Sequence, residues 1–456
     1  MRNIVDRGER ALVAPQDPAA YIERGTPAFR RTNLALFAAG FSTFALLYCV
    51  QPLLPVFSRE FGVSAAESSL SLSLTTGLLA ASVLIAGALS EAWGRKSVMV
   101  VSLFAAAILT VICAFVPGWH ALLLVRAIEG IAFSGLPAVA MAYLSEEMDY
   151  RSVGLAMGLY IGGSGLGGMT GRFVTGWLTD VASWRVALGV IGVFGIFAAL
   201  IFWRTLPPSR HFAARPLALD QLKESFLDHL RDAGLPWLFI EGFLLMGSFV
   251  TIYNYIAYRL LAPPYGLSQT EVGAIFAVYL LGTGSSAWVG NLASRLGRRK
   301  VFWATTAVML AGLLLTLMNP LAIIITGIAV LTVGFFGAHS IASSWVGLRA
   351  RHSKAQAAAL YLFFYYVGSS IVGSCGGLFW SASGWNGVVE FTGSLLILAL
   401  LISLRLSVLQ PLTHTAGRDP HKSGDQSPTV GSMRNMIPRG PQRIAYEPSV
   451  LPWDAW

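Results

Sequence analysis

Few ionisable side chains stand inside the long apolar runs of this sequence. Each needs a reason to be there, because a charge at that depth costs roughly 2.5–3.5 kcal/mol on insertion scales. Arg126 and Glu129 lie in Leu124-Val-Arg-Ala-Ile-Glu-Gly130. Three residues apart on a helix, they share a face and can pair. Two readings stand side by side: a structural ion pair, or a titrating acid beside a fixed cation. Glu241 lies in Leu238-Phe-Ile-Glu-Gly-Phe-Leu-Leu245, with no basic residue within one turn on either side. Its partner must come from another helix or from water, and it could serve as a proton carrier or as a structural hydrogen-bonding group. His339, in Gly337-Ala-His-Ser-Ile-Ala-Ser-Ser344, could bind substrate or respond to protonation, and a hydrogen bond to a neighbouring backbone is the plainer account. Arg172 falls late in its apolar run, where a long side chain can snorkel to the membrane surface. Gln51 is an amide inside an apolar run that could face a cavity. Tyr253, Asn254 and Tyr365 belong to a second half crowded with aromatic residues. An aromatic cavity with few fixed charges suits flat, lipophilic or cationic molecules. Helix packing and interfacial belts use the same rings.

The elements that must position these groups are membrane spans. The chain has 456 residues, of which 55% are hydrophobic and only 12% charged. Its mean hydropathy is +0.63. A soluble domain carries about 25% charged residues. A span needs about 20 apolar residues, so the stretch from Asn33 to Leu406 has room for about twelve. The expected spans are 33–57, 68–92, 97–117, 119–143, 152–178, 184–203, 236–260, 271–294, 300–318, 320–345, 355–382 and 385–406. Residues 1–32 and 407–456 are polar and rich in Pro, Gly, Ser or Arg, and are expected to be disordered cytoplasmic tails. The polar stretch 204–235 divides 33–203 from 236–406 and reads as a cytoplasmic linker, with an amphipathic piece from Leu217 to Leu230.

The net charge of +9 is no nucleic-acid signature, because the basic residues sit in short loops between apolar runs. Arg30, Arg31, Arg95, Lys96, Arg151, Arg204, Arg298, Arg299, Lys300, Arg349 and Arg351 fall in one alternate set of loops. That set should be cytoplasmic, and an even number of crossings puts both termini there. Cys49, Cys113 and Cys375 lie inside apolar runs and suggest neither a disulfide framework nor a metal site. No Walker element is present, so direct drive by ATP is not expected. No cofactor or metal is expected.

Two short polar turns repeat. The first is Gly87-Ala-Leu-Ser-Glu-Ala-Trp-Gly-Arg-Lys96, and an imperfect copy runs from Gly290 to Lys300, with Gly297 and Arg298 matching Gly94 and Arg95. Gly163-x3-Gly167-x3-Gly171 falls against Ser369-x3-Gly373-x3-Gly377, and Trp184 against Trp385. Small residues every four positions let helices approach closely. The ordered matches indicate a parallel duplication of six spans.

The first turn resembles the loop motif between spans 2 and 3 of the major facilitator superfamily. Gly87, Glu91, Gly94, Arg95 and Lys96 match it, and Ala92 stands where a basic residue is usual. In the second copy Ser294 replaces the acid. Arg126 and Glu129 resemble the superfamily's Arg-x-x-Gln-Gly element, whose buried arginine is associated with proton coupling in antiporters; Glu129 replaces the glutamine. Gly163, Gly167 and Gly168 match the antiporter element Gly-Pro-x-x-Gly-Gly, with Ser164 in place of proline, and Gly171 extends the stripe. Glu241–Thr251, Gly337–Trp345 and Gly384–Gly387 look like the YnfM-type inner-membrane transport proteins of the acriflavin-sensitivity branch, near the arabinose-efflux-like permeases. The resemblance covers about Arg31 to Leu406. It implies an all-α membrane protein with the major facilitator fold: twelve transmembrane helices in two pseudo-symmetric six-helix halves. It further implies a monomeric bacterial inner-membrane exporter, driven by protons, that moves small organic or drug-like molecules by alternating access. Within that reading Glu241, Glu129 and Arg126 are the candidates for coupling, and Gln51, Asn254, Tyr253, His339 and Tyr365 for substrate contact. The alternatives are an importer of a sugar or metabolite with the same fold, and, more distantly, a membrane-embedded enzyme or receptor.

Overall fold

A computed structural model of the chain describes residues 21–212, 214 and 219–408. The tails expected at 1–20 and 409–456 lie outside the described residues. Twelve helical spans follow one another, and no β-strand occurs among the described residues. Spans 1 to 6 are Pro27–Phe61, Ala65–Trp93, Arg95–Cys113, Trp119–Glu147, Val153–Val181 and Trp184–Thr205. Spans 7 to 10 are Leu235–Leu261, Gln269–Leu296, Arg298–Leu315 and Leu321–Arg349. Spans 11 and 12 run together as Lys354–Val408, bent where Gly384 takes φ +58. A side chain at that φ is strained, so the bend falls on a glycine.

Several boundaries differ from expectation. Span 1 begins at Pro27 rather than near Asn33, because Thr26 caps it and proline suits the first turn. The segment before it is also held. Ile22 is buried and exchanges backbone hydrogen bonds with Glu147 and Asp149. Residues 21–32 are therefore ordered and correct the assignment of that stretch to a disordered tail. Three spans are broken. Span 1 is interrupted around Gln51-Pro52, span 4 at 134–136 before Pro137, and span 8 by the 3-10 turn Phe276–Val278. Proline lacks the N–H that would continue the first two helices.

The two halves repeat each other in detail. Gly94 and Gly297 adopt nearly the same conformation, φ 94 and ψ 138 against φ 92 and ψ 129. Ser64 with Glu67 and Ser268 with Glu271 form matching capping boxes at the starts of spans 2 and 8. The loops with Gly94 and Gly297 mark one end of the bundle, here the motif face. The capping boxes mark the opposite face. Between the halves, span 2 packs on span 11 and span 5 on span 8. In the linker, the helix Leu219–Arg231 occupies most of the expected amphipathic piece.

Candidate functional site

The glycine stripe of span 5 sets the first half. Gly163, Gly167 and Gly171 face the backbone of Phe37, Phe41 and Ala45 on span 1, all at four-residue spacing. A Cβ on Gly163 would lie 2.8 Å from the Phe37 carbonyl oxygen, one on Gly171 would lie 2.6 Å from that of Ala45, and one on Gly167 would overlap the Phe41 carbonyl. Gly168 points elsewhere, toward the Arg172 guanidinium. This contact fixes the register of spans 1 and 5, and with it the groups that follow.

Arg126 and Glu129 pair as their spacing predicts, at 2.7 Å, and both are buried. The guanidinium also donates to the carbonyls of Ser71 and Leu47, at 2.9 Å each, and Glu129 accepts from Thr110. The pair thus joins spans 1, 2, 3 and 4, and both members are satisfied.

Glu241 is the opposite case. It is 0 % exposed, and neither carboxylate oxygen has a hydrogen-bond partner. It lies within electrostatic range of Tyr361. The Tyr361 hydroxyl is 2.9 Å from His339 Nδ1. His339 in turn stacks on Phe335 and lies 4.8 Å from the Tyr365 ring. His339 and Tyr365 are partly buried. Glu241, His339 and Tyr365 therefore fall in one neighbourhood, which Tyr361 links.

Gln51, Asn254 and Tyr253 do not line open space. Gln51 Nε2 donates to Asn254 Oδ1 at 2.7 Å, tying span 1 to span 7. Tyr253 is sealed against Phe249 and Phe276 and bonds Thr332 at 2.7 Å. The break in span 1 at Gln51 gives the amide its reach across the halves.

Arg172 does not snorkel. It is 1 % exposed and points inward. Its Nε donates to Gln51 Oε1 and its Nη1 to the Gly168 carbonyl, both at 2.6 Å. Its guanidinium carbon lies 4.3 Å from the Tyr48 ring centroid and 4.8 Å from that of Tyr279. A signal for this was present in the sequence. Arg172 follows Gly168 by four residues, beside the packing stripe, and a residue there cannot easily face lipid.

Other hydrogen bonds join the halves as well. Ser58 meets Tyr258, Ser73 meets Ser370 and Ser374, and Asp180 receives Thr270. All of these lie in the part of the bundle nearer the capping-box face. Among the described residues no hydrogen bond or ion pair joins the halves near the motif face.

At the motif face the two loops share a backbone but not a wiring. Arg95 is buried and reaches Glu146 on span 4 at 2.6 and 3.1 Å, Ser90 at 2.5 Å and Glu91 at 3.6 Å. Its Nη1 also donates to the Gly87 carbonyl at 3.3 Å. Lys96 donates to the Leu206 carbonyl at 2.5 Å, stapling the linker's start. In the second copy Ser294 bonds Gly290 of its own helix, and among the described residues Arg298 forms no ion pair. Arg299 does repeat one contact of the first copy: its Nη1 donates to the Ser407 carbonyl at the end of span 12, as Lys96 donates to Leu206.

Comparison with known proteins bears on this architecture directly. The sequence model of the Major Facilitator Superfamily matches residues 36–259 and 238–452. The chain belongs to the major facilitator superfamily. It is 52% identical to the uncharacterized MFS-type transporter YybF of Bacillus subtilis, over 86% of this chain and 97% of that protein. It is also 52% identical to the inner membrane transport protein YnfM of Escherichia coli, over 85% of this chain and 93% of that one. The fold is similar to a bacterial homolog of the human lysosomal transporter Spinster in an inward-facing, unoccupied conformation (TM-score 0.66, 16% identity, 84% of this chain and 96% of that one). It is also similar to the human organic anion transporter MFSD10, with TM-score 0.66, 16% identity, and 83% and 100% covered. This superfamily member is a multi-pass membrane transporter, and its relatives are named as transporters rather than enzymes.

Proposed function

We propose that this transporter is a proton-coupled exporter of small organic molecules, working as a monomer in a bacterial inner membrane. The observation that carries the reading is Glu241. A charged carboxylate with no donor is costly to hold in apolar surroundings, so the group must change charge, partner or both during a cycle. Tyr361 lies within electrostatic range of it and is joined to His339, which contacts Tyr365. In this reading Glu241 is the proton carrier. The satisfied pair of Arg126 and Glu129 holds the first half rigid around it and takes a lesser part in coupling.

The basic residues of the motif face put that face and both termini in the cytoplasm. The contacts between the halves then lie on the outer side, and the conformation is open inward. Residues 33–203 and 236–406 move as two halves about the linker 204–235. Gly87, Glu91, Gly94, Arg95 and Lys96 hold the first half's cytoplasmic end, and Gly297 with Arg298 forms the looser counterpart.

The test is accumulation of a panel of cationic and anionic fluorescent dyes in efflux-deficient bacteria expressing the full chain. We expect lower accumulation of at least one dye, abolished by an uncoupler and by Glu241→Gln at equal expression. Export that survives both treatments would remove the proton from the reading. Uptake in place of export would favour the importer.

A further inference from the structure

Among the described residues three arginines are buried: Arg95, Arg126 and Arg172. The first two end on carboxylates, Glu146 and Glu129. Arg172 ends on none. It has five N–H donors and no acceptor, and its oxygen partners are the Gln51 amide, the Gly168 carbonyl and the Tyr279 hydroxyl, none of them a carboxylate. The rings of Tyr48, Tyr279 and Phe276 surround the remainder, at 4.3, 4.8 and 5.0 Å. Cation–π contacts offset part of the cost of desolvating the ion but bring no negative charge to it. The cage therefore holds a positive charge that it does not neutralise.

The position of that charge suggests its use. Arg172 sits where spans 1, 5, 7 and 8 meet, at the boundary of the two halves. A line of aromatic contacts leads to it from the partly exposed side. Tyr365 touches Phe335, Phe335 stacks on Phe249 at 3.8 Å, and Phe249 lies 5.6 Å from Tyr279, which faces the guanidinium. The line of packed rings is largely apolar and ends at the cation. A molecule suited to it has a flat or apolar body and a terminal anion.

We propose that Arg172 is the anchor for the carboxylate of a small organic acid, and that such acids are the substrate class of this transporter. The carboxylate replaces the Gln51 oxygen and a ring face at the guanidinium, forming the bidentate pair that arginine's fork favours. The apolar body lies against the Tyr279 and Phe249 rings. The inference rests on the transport reading above but on neither its direction nor its proton. It also replaces the cationic preference that the aromatic content alone suggested.

The experiment is ligand binding to the full chain in lipid nanodiscs, followed by thermal stabilisation and by displacement. The probes are benzoate, 2-naphthoate and decanoate, each beside its neutral amide and its amine of matched size. We expect at least one acid to bind about tenfold or more tighter than its amide and its amine. Arg172→Gln should erase that preference without weakening the amide, and Arg172→Lys should restore part of it. An amide or amine that binds the wild type as well as its acid overturns the proposal, as does binding by none of the three acids. So does Arg172→Gln that keeps the preference. The wild-type comparison needs no variant, so it stands even if Arg172→Gln does not fold. A preserved acid preference in a chain whose transport ignores uncouplers would sink the proton and leave the anchor, and the converse result would do the reverse.

Discussion

Glu129 and Glu241 are the same side chain at the same exposure, 0 %, inside spans 4 and 7. One is enclosed by donors. The other has none. Glu129 completes a junction of four spans, and its charge is matched where it stands. Glu241 contributes nothing to cohesion that a nonpolar side chain would not contribute better. A buried group that stabilises nothing is retained for another purpose, and buried acids in membrane spans serve proton and ion pathways. The contrast separates structure from function more sharply than burial or residue type does.

The largest effect should come from making both acids leucine. Glu129→Leu leaves the Arg126 guanidinium buried without its counter-ion, which costs about 3–5 kcal/mol. Glu241→Leu removes two unsatisfied acceptors from an apolar site, so stability should be unchanged or higher. Denaturant unfolding of the purified variants measures both. The double change Arg126→Met with Glu129→Leu should recover most of the loss, since an apolar pair of similar volume often replaces an ion pair at little cost. Destabilisation by Glu241→Leu as large as that by Glu129→Leu would erase the comparison.

A smaller effect tests what holds the satisfied pair. Arg126 donates to the Leu47 carbonyl of span 1, and span 1 is set by the glycine stripe of span 5. Gly167→Ala drives a methyl group into the Phe41 backbone, and such overpacking costs about 1–3 kcal/mol. Gly162 faces open space on the same helix. Gly162→Ala should therefore stay within about 0.5 kcal/mol of wild type. If the two alanines behave alike, the stripe does not set the span 1 register.

Much of this arrangement was legible before any coordinates. Hydropathy and the alternation of basic loops gave the spans, because bilayer thickness and backbone hydrogen bonding leave a chain few other choices. The pair of Arg126 and Glu129 was visible because both members lie on one turn of one helix. The glycine stripe was visible because its spacing is the helix's own. What was hidden depends on contacts far apart in the chain. Gln51 meets Arg172 and Asn254 across 121 and 203 residues, and no local pattern encodes either meeting. The inward turn of Arg172 was missed because depth along the span was weighed and the helical face was not. The solitude of Glu241 was half visible: its own helix offers no cation within a turn of it, but only the packed structure excludes one from its neighbours.

Asp232 extends the comparison to a third carboxylate, partnered like Glu129 but placed at the membrane surface. Its Oδ1 accepts the backbone N–H groups of Gly234 and Leu235 at 2.8 Å each, and its carboxylate pairs with Arg349 at the end of span 10. Partial burial pushes its carboxyl upward, but the hydrogen bond from Arg349 and the two N–H donors outweigh burial and hold it below the ordinary aspartate range. A carboxyl depressed by folding stabilises above its unfolded value, about 3.9 for aspartate, and loses that stabilisation as pH falls through the folded value. A double-mutant cycle of Asp232→Asn and Arg349→Gln should therefore give a favourable coupling at pH 7. That coupling should shrink as pH falls below about 4. Water still reaches both side chains, so it should be small, about 0.2–1 kcal/mol. Coupling as strong as that between Arg126 and Glu129 would mean that the number of partners alone decides what a carboxylate contributes. The smaller value would mean that partners and burial act together, and Glu241, with full burial and no partner, is then the limiting case.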